Sequence, residues 1–187
     1  MEAGQFLRIS DIGDQTLAWT RPNFLTLRYE LLAGENVVEV LRVEGIGPGR
    51  RVLAETGTSS WRFDLFPMDR PVVPVFRDDE SEPVAEYDRR QNMQLRLVNG
   101  LQYELTAESP LKMTLADAEH RPVFSLEQVD AFPRWRVEIK LQPAAERMPD
   151  LPMLLAAACC SLVFPSYRTA KLTEPELAVA PTMIATG

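Results

Sequence analysis

Leu25, Leu27, Tyr29 and Leu31 alternate with Thr26, Arg28 and Glu30 in "FLTLRYEL", and this period of two dominates the chain from Phe6 to Leu141. Trp61, Phe63 and Leu65 repeat it in "SWRFDLF", and Trp135, Val137, Ile139 and Leu141 repeat it in "RWRVEIKLQ". Further strand-like runs are "FLRIS", "TLAWT", "NVVEVLRVE", "RRVLAET", "VVPVFRD", "PVAEYDR", "MQLRLVNGLQYELTA", "LKMTLADA" and "RPVFSLEQV". Together they predict about a dozen short strands, each with one buried face, as antiparallel sheets require. Turn chemistry separates them: "GIGPG" at 45–49, "DDESEP" at 78–83, Asn99-Gly100 and "DAEHRP" at 117–122. Asn99-Gly100 predicts a two-residue hairpin turn, in which both central residues need positive φ.

The alternation stops at "DLPMLLAAACCSLVFP". Asp150 is a candidate N-cap, Pro152 is tolerated in a first turn, Ala, Leu and Met favour helix, and Pro165 ends it. The expected helix covers residues 151–164, about 21 Å at 1.5 Å per residue. A membrane span needs about 20 apolar residues, so this helix is short by roughly two turns. It also lacks a polar stripe, and a helix apolar all round has to be buried on every side. Strands that supply one apolar face can bury it only by closing around it. The prediction is a mainly β, closed antiparallel barrel around one buried C-terminal helix. Residues 1–187 form a single domain, with 166–187 as an extension along the barrel or a flexible tail.

The order of elements resembles the tubby C-terminal-like superfamily, which includes tubby domains, phospholipid scramblases and LURP-one-related proteins. "VVPVFRDDESEPVAEYDRR" is similar to that family's strand–acidic turn–strand unit, and "MQLRLVNGLQYELTAES" and "LKMTLADAEHRPVFSLEQ" to the hairpins that follow. "RWRVEIKLQ" with "DLPMLLAAACCSLVF" resembles the last strand, the acidic-capped lead and the central helix. The resemblance implies a twelve-stranded barrel around its helix. It also implies a binding module for phosphoinositide or other anionic headgroups, or for a protein partner, rather than an enzyme. A scramblase-like, membrane-associated role is an alternative within the family. A barrel that carries a small apolar ligand is the alternative outside it, opposed by the helix that would fill the cavity.

Composition narrows the partners. With 20 basic and 27 acidic side chains the net charge is −7, which excludes the basic footprint of non-specific nucleic-acid binding. The two cysteines, Cys159 and Cys160, are adjacent inside the apolar segment, so they build no disulfide framework. The N-terminus has no basic start followed by an apolar core, so a reduced, cytoplasmic protein is expected, peripheral at the membrane if it binds headgroups.

Candidate chemistry is sparse. His120 is the only histidine and has no second to complete a metal set. Cys159 and Cys160 on a buried helix are expected to be inert hydrophobes rather than nucleophiles. The acidic run 78–82 lacks the spaced ligands and glycine of a calcium loop, and "GIGPG" precedes a strand where a phosphate loop precedes a helix. No metal, cofactor or catalytic residue is therefore assigned. The paired arginines Arg50, Arg51, Arg89 and Arg90 lie at strand ends, where bidentate guanidinium–phosphate contacts suit an anionic headgroup.

Overall fold

The computed structural model describes residues 6–12, 15–23, 25–45, 51–65, 70–77, 80–89, 93–109, 111–130 and 134–164. Among them lie β1 (Leu17–Thr20), β2 (Arg28–Ala33), β3 (Asn36–Glu44), β4 (Arg51–Glu55), β5 (Ser60–Phe63) and β6 (Val72–Arg77). There follow β7 (Pro83–Asp88), β8 (Met93–Leu97), β9 (Gln102–Ser109), β10 (Lys112–Asp117), β11 (Pro122–Asp130), β12 (Arg136–Leu141) and the helix α1 (Leu151–Val163). Each strand pairs antiparallel with its sequence neighbours, and β1 with β12 closes the barrel through Leu17↔Ile139 to Thr20↔Arg136. Closure leaves no unpaired sheet edge.

The inward set is the apolar half of each alternation, including Trp19, Leu31, Leu41, Phe63, Val75, Leu95, Phe124 and Val137, all at most 2% exposed. The outward set is polar, with Arg28, Glu30, Arg42, Arg62, Glu86, Arg96, Glu104, Ser125, Glu127 and Glu138 in the opposite phase. This is the reverse of the apolar-out band of a membrane-spanning barrel. Among the described residues no helix is long and apolar enough to cross a membrane.

α1 fills the lumen. From Met153 to Cys160 every residue is at most 1% exposed, so no face of the helix meets water. Asp150 lies 3.8 Å from Arg77, at the end of β6, while the Ser161 hydroxyl lies 2.6 Å from that of Tyr87, near the end of β7. The helix thus enters at one rim and leaves at the other. Asp150 occupies the predicted N-cap position, but its side chain makes no capping hydrogen bond; the carboxylate faces the Arg77 guanidinium.

Three local expectations change. "FLRIS" forms no strand; residues Ile9–Asp11 make a 3-10 turn, and Leu7 donates its N–H to Val37 O. The strand predicted from Leu25 starts only at Arg28, and Leu25 and Leu27 are exposed. Asn99-Gly100 belongs to a three-residue loop: Leu97 N–H bonds Leu101 O, Gly100 N–H bonds Leu97 O, and among these residues only Gly100 has positive φ, at 89°. This is the type I turn with a left-handed closing residue. The β10–β11 turn copies the hydrogen bonds, with Asp117 N–H on Arg121 O and His120 N–H on Asp117 O, but its left-handed residue is His120 at φ 60°.

The pair makes a prediction. Gly100→Ala places a Cβ in open space, so its cost is backbone alone, about 1 kcal/mol. His120→Gly removes the same strain and is expected to be neutral or stabilising by up to about 1 kcal/mol. Chemical denaturation of both variants checks the opposite signs.

Candidate functional site

Polar groups interrupt the apolar lumen. Glu39 is in phase with Leu41 on β3 and opposite Leu31, so alternation turns it inward, where it is 0% exposed. Burial pushes its carboxyl well above the usual carboxylate range. Cys159 and Cys160 are fully buried on α1; burial raises both thiols, and Glu39 raises them further. Tyr87 is held protonated by burial and shares a 2.6 Å hydrogen bond with Ser161, which is also 2.9 Å from Met93 Sδ and 3.2 Å from Ala157 O. Arg89 is only 3% exposed and donates from Nη1 to Leu65 O at 3.3 Å. Its guanidinium pKa is lowered by burial, against the opposing pull of Tyr87 and Cys160.

Burial holds the interior thiols in their protonated form. A thiol acts as a nucleophile through its thiolate, and burial here disfavours that form. Among the described residues no group of three or more His, Cys, Asp and Glu side chains is placed to hold a metal ion. His120 is an exposed turn residue.

Of the four arginines read as a headgroup site, Arg51 and Arg89 are among the described residues. Arg50 and Arg90 lie outside the described residues. Arg51 is exposed at the start of β4, 3.4 Å from Glu44. Arg89, which follows β7, is 3% exposed, and its Nη1 donates to Leu65 O.

What sequence reading missed is a sector of the rim where α1 leaves. The β1–β2, β9–β10 and β11–β12 connections are neighbours there, because β1 pairs with β12 and β11 with β10. Leu25 (78% exposed), Leu27, Leu111 (57%) and Val129 stand on it with their side chains in solvent. The loops are tied together. Gln128 N–H bonds Leu111 O at 2.8 Å, Arg21 N–H bonds Trp135 O at 3.3 Å, and Trp135 packs edge-on to Tyr29 at 5.2 Å. Asn23 Oδ1 accepts from Leu25 N–H at 2.8 Å, and Arg21 Nε donates to Thr26 O at 3.1 Å, which fixes the tip that presents Leu25. The same connections and strand ends carry Arg21, Arg28, Lys112, Arg134 and Arg136, with Arg28 paired to Glu30, Lys112 to Glu108 and Arg136 to Glu138. The signal was present in "NFLTLR": its alternation runs past the strand start, so its first leucines have no strand to pack against.

Charge differs between the rims. The connections at the entry rim carry Glu35, Glu80, Glu82, Asp117 and Glu119, and Arg121 there is bound to both Asp117 and Glu119. Among the described residues the other two exposed large apolar side chains, Val98 and Leu101, lie at this acidic rim.

The fold defines a class of protein: an up-and-down twelve-stranded barrel threaded by a central apolar helix. No protein-family model, curated protein or solved structure matches this chain.

Proposed function

We propose that the protein is a non-enzymatic binding module of the tubby-like type that docks its helix-exit rim on an anionic lipid surface. The observation that carries this reading is the set Leu25, Leu27, Leu111 and Val129, exposed on one rim whose connections and strand ends also carry Arg21, Arg28, Lys112, Arg134 and Arg136. Apolar side chains on loop tips gain by entering the headgroup–acyl boundary, and cations beside them gain about 1 kcal/mol each near anionic lipid. The acidic opposite rim turns the net charge of −7 into an orienting asymmetry, since it is repelled by the same surface. The apolar-carrier alternative loses support because α1 occupies the lumen.

The test is flotation with phosphatidylserine-containing and with neutral vesicles at low and physiological salt. Binding to the anionic vesicles that weakens with salt is the expected result. Leu25→Asp combined with Leu111→Asp is expected to lower the partition about a hundredfold, because each leucine contributes on the order of 1.5 kcal/mol on burial. The melting temperature is expected to stay unchanged, because both side chains are exposed. Arg134→Glu is expected to cost about fivefold or more. Full flotation of the double variant, or no flotation of the parent protein, rejects the reading; the latter leaves the same rim to a protein partner.

A further inference from the structure

Glu39 is the one side chain among the described buried carboxylates for which neither oxygen has a hydrogen-bond partner. The Trp19 indole N–H, in the same cross-strand row through Leu31, is also unpartnered. Glu39 faces the lumen that α1 fills, and α1 carries the buried Cys159 and Cys160, whose thiols burial raises and Glu39 raises further. Around it, β2 presents Tyr29 and Leu31 inward, and β4 presents Val52 and Ala54. Tyr29 is the titratable group on those faces. It too feels both thiols, and burial raises it. The cation of this region, Arg89, acts on Cys160 and Tyr87 and donates to Leu65 O. A neutral carboxyl is tolerable in such a place. An ionised one, without a partner, is not.

We propose that Glu39 is a proton-controlled latch on the central helix: as the neutral acid it keeps α1 seated, and on losing its proton it raises the fraction of molecules in which α1 is transiently displaced and Cys159 and Cys160 are exposed. Glu39 faces the lumen that α1 fills, so displacing α1 opens a route for water to the charge. Burial raises the Glu39 carboxyl, so ionisation is coupled to opening: the seated state binds the proton more tightly than the open state. Above the unseated carboxyl value near 4.3, each pH unit therefore raises the open fraction about tenfold, until the seated value is reached. The latch is independent of the lipid-docking reading, since it resides in the lumen and its test needs no membrane.

Cys159 and Cys160 are the only cysteines, so the full chain reports on its own helix. Alkylation by iodoacetamide is measured from pH 5 to 8 on the folded protein. Each rate is divided by that of the denatured chain at the same pH, which removes the intrinsic thiolate dependence. Protection in the parent protein is expected to fall about tenfold per pH unit over part of this range. Glu39→Gln and, should it fold poorly, Glu39→Leu are expected to give a flat profile, with the far-ultraviolet strand signal of the parent protein constant throughout. A flat profile in the parent protein, an unchanged slope in a folded Glu39 variant, or loss of the strand signal in step with labelling overturns the latch.

Discussion

Leu155→Asp is expected to abolish the folded barrel. Leu155 sits at the middle of α1 with no exposed surface, and the helix positions on either side of it are also closed to water. An aspartate there has no described cation to pair with: Arg77 faces Asp150 at the entry, and Arg89 lies toward Tyr87 and Cys160 near the exit. The variant must either bury an unpaired carboxylate or keep the acid neutral and unbonded, and it also leaves part of the leucine volume empty. The sum is expected to exceed about 5 kcal/mol, comparable with the whole stability of a domain this size. Leu162→Asp is expected to cost less, because Leu162 is half-buried next to the exit rim, where a carboxylate can reach water. Circular dichroism and solubility of the two variants decide the matter: a folded, soluble Leu155→Asp protein is incompatible with a helix inside the barrel.

The second large effect is a gain. Glu39→Gln is expected to leave stability nearly unchanged at about pH 4 and to raise it progressively as the pH climbs above that. The sign follows from proton binding. The folded protein holds the Glu39 proton above the pH at which the unfolded chain releases it, near 4.3. Between those two values folding takes up a proton, so stability falls by about 1.4 kcal/mol for each unit of rising pH, and the fall ends at the folded value. The contribution is thus fully present below the unfolded value and is lost upward, opposite to a salt-bridged carboxylate. Glutamine keeps the shape and the buried polarity but has no proton to lose. Above about pH 8 the raised thiols of Cys159 and Cys160 add a decline of the same sign in both proteins. Urea denaturation at several pH values measures the two curves, and parallel curves would mean that Glu39 is solvated in the folded state.

Most of the barrel was legible in sequence because period-two alternation and turn residues are local properties. Strand existence followed from runs such as "MQLRL" and "VFSLE", and the helix from the change of period at Asp150; its observed span, Leu151–Val163, ends one residue before the expected one. Where the chain reads differently, a non-local contact is the reason. "FLRIS" has the composition of a strand, but closure of β1 onto β12 leaves no edge for it to join, so it turns at Ile9–Asp11. Leu25 and Leu27 continue the alternation of β2 into a loop fixed by Asn23, and that is how a hydrophobic pattern comes to lie on a surface. Glu39 was hidden because Val37, Val38 and Val40 offer either phase of β3 an apolar face. Only the Leu31↔Glu39 register, beside a bulge between Leu31 and Leu32, turns the carboxyl inward.

By itself the sequence determined that this chain makes short antiparallel strands, that they carry one apolar face, and that one helix must be enclosed by them. Each follows from the cost of exposing apolar surface, counted along a local period. The tertiary structure alone decided which charged side chains the closure traps and which leucines it leaves outside. Arg89 is tied to Leu65 O, Glu39 is turned into the lumen that α1 fills, and Leu25 and Leu111 come to the same rim. Those placements depend on strand register and on the pairing of the first strand with the last, and pairing between residues so far apart leaves no periodic trace in the chain.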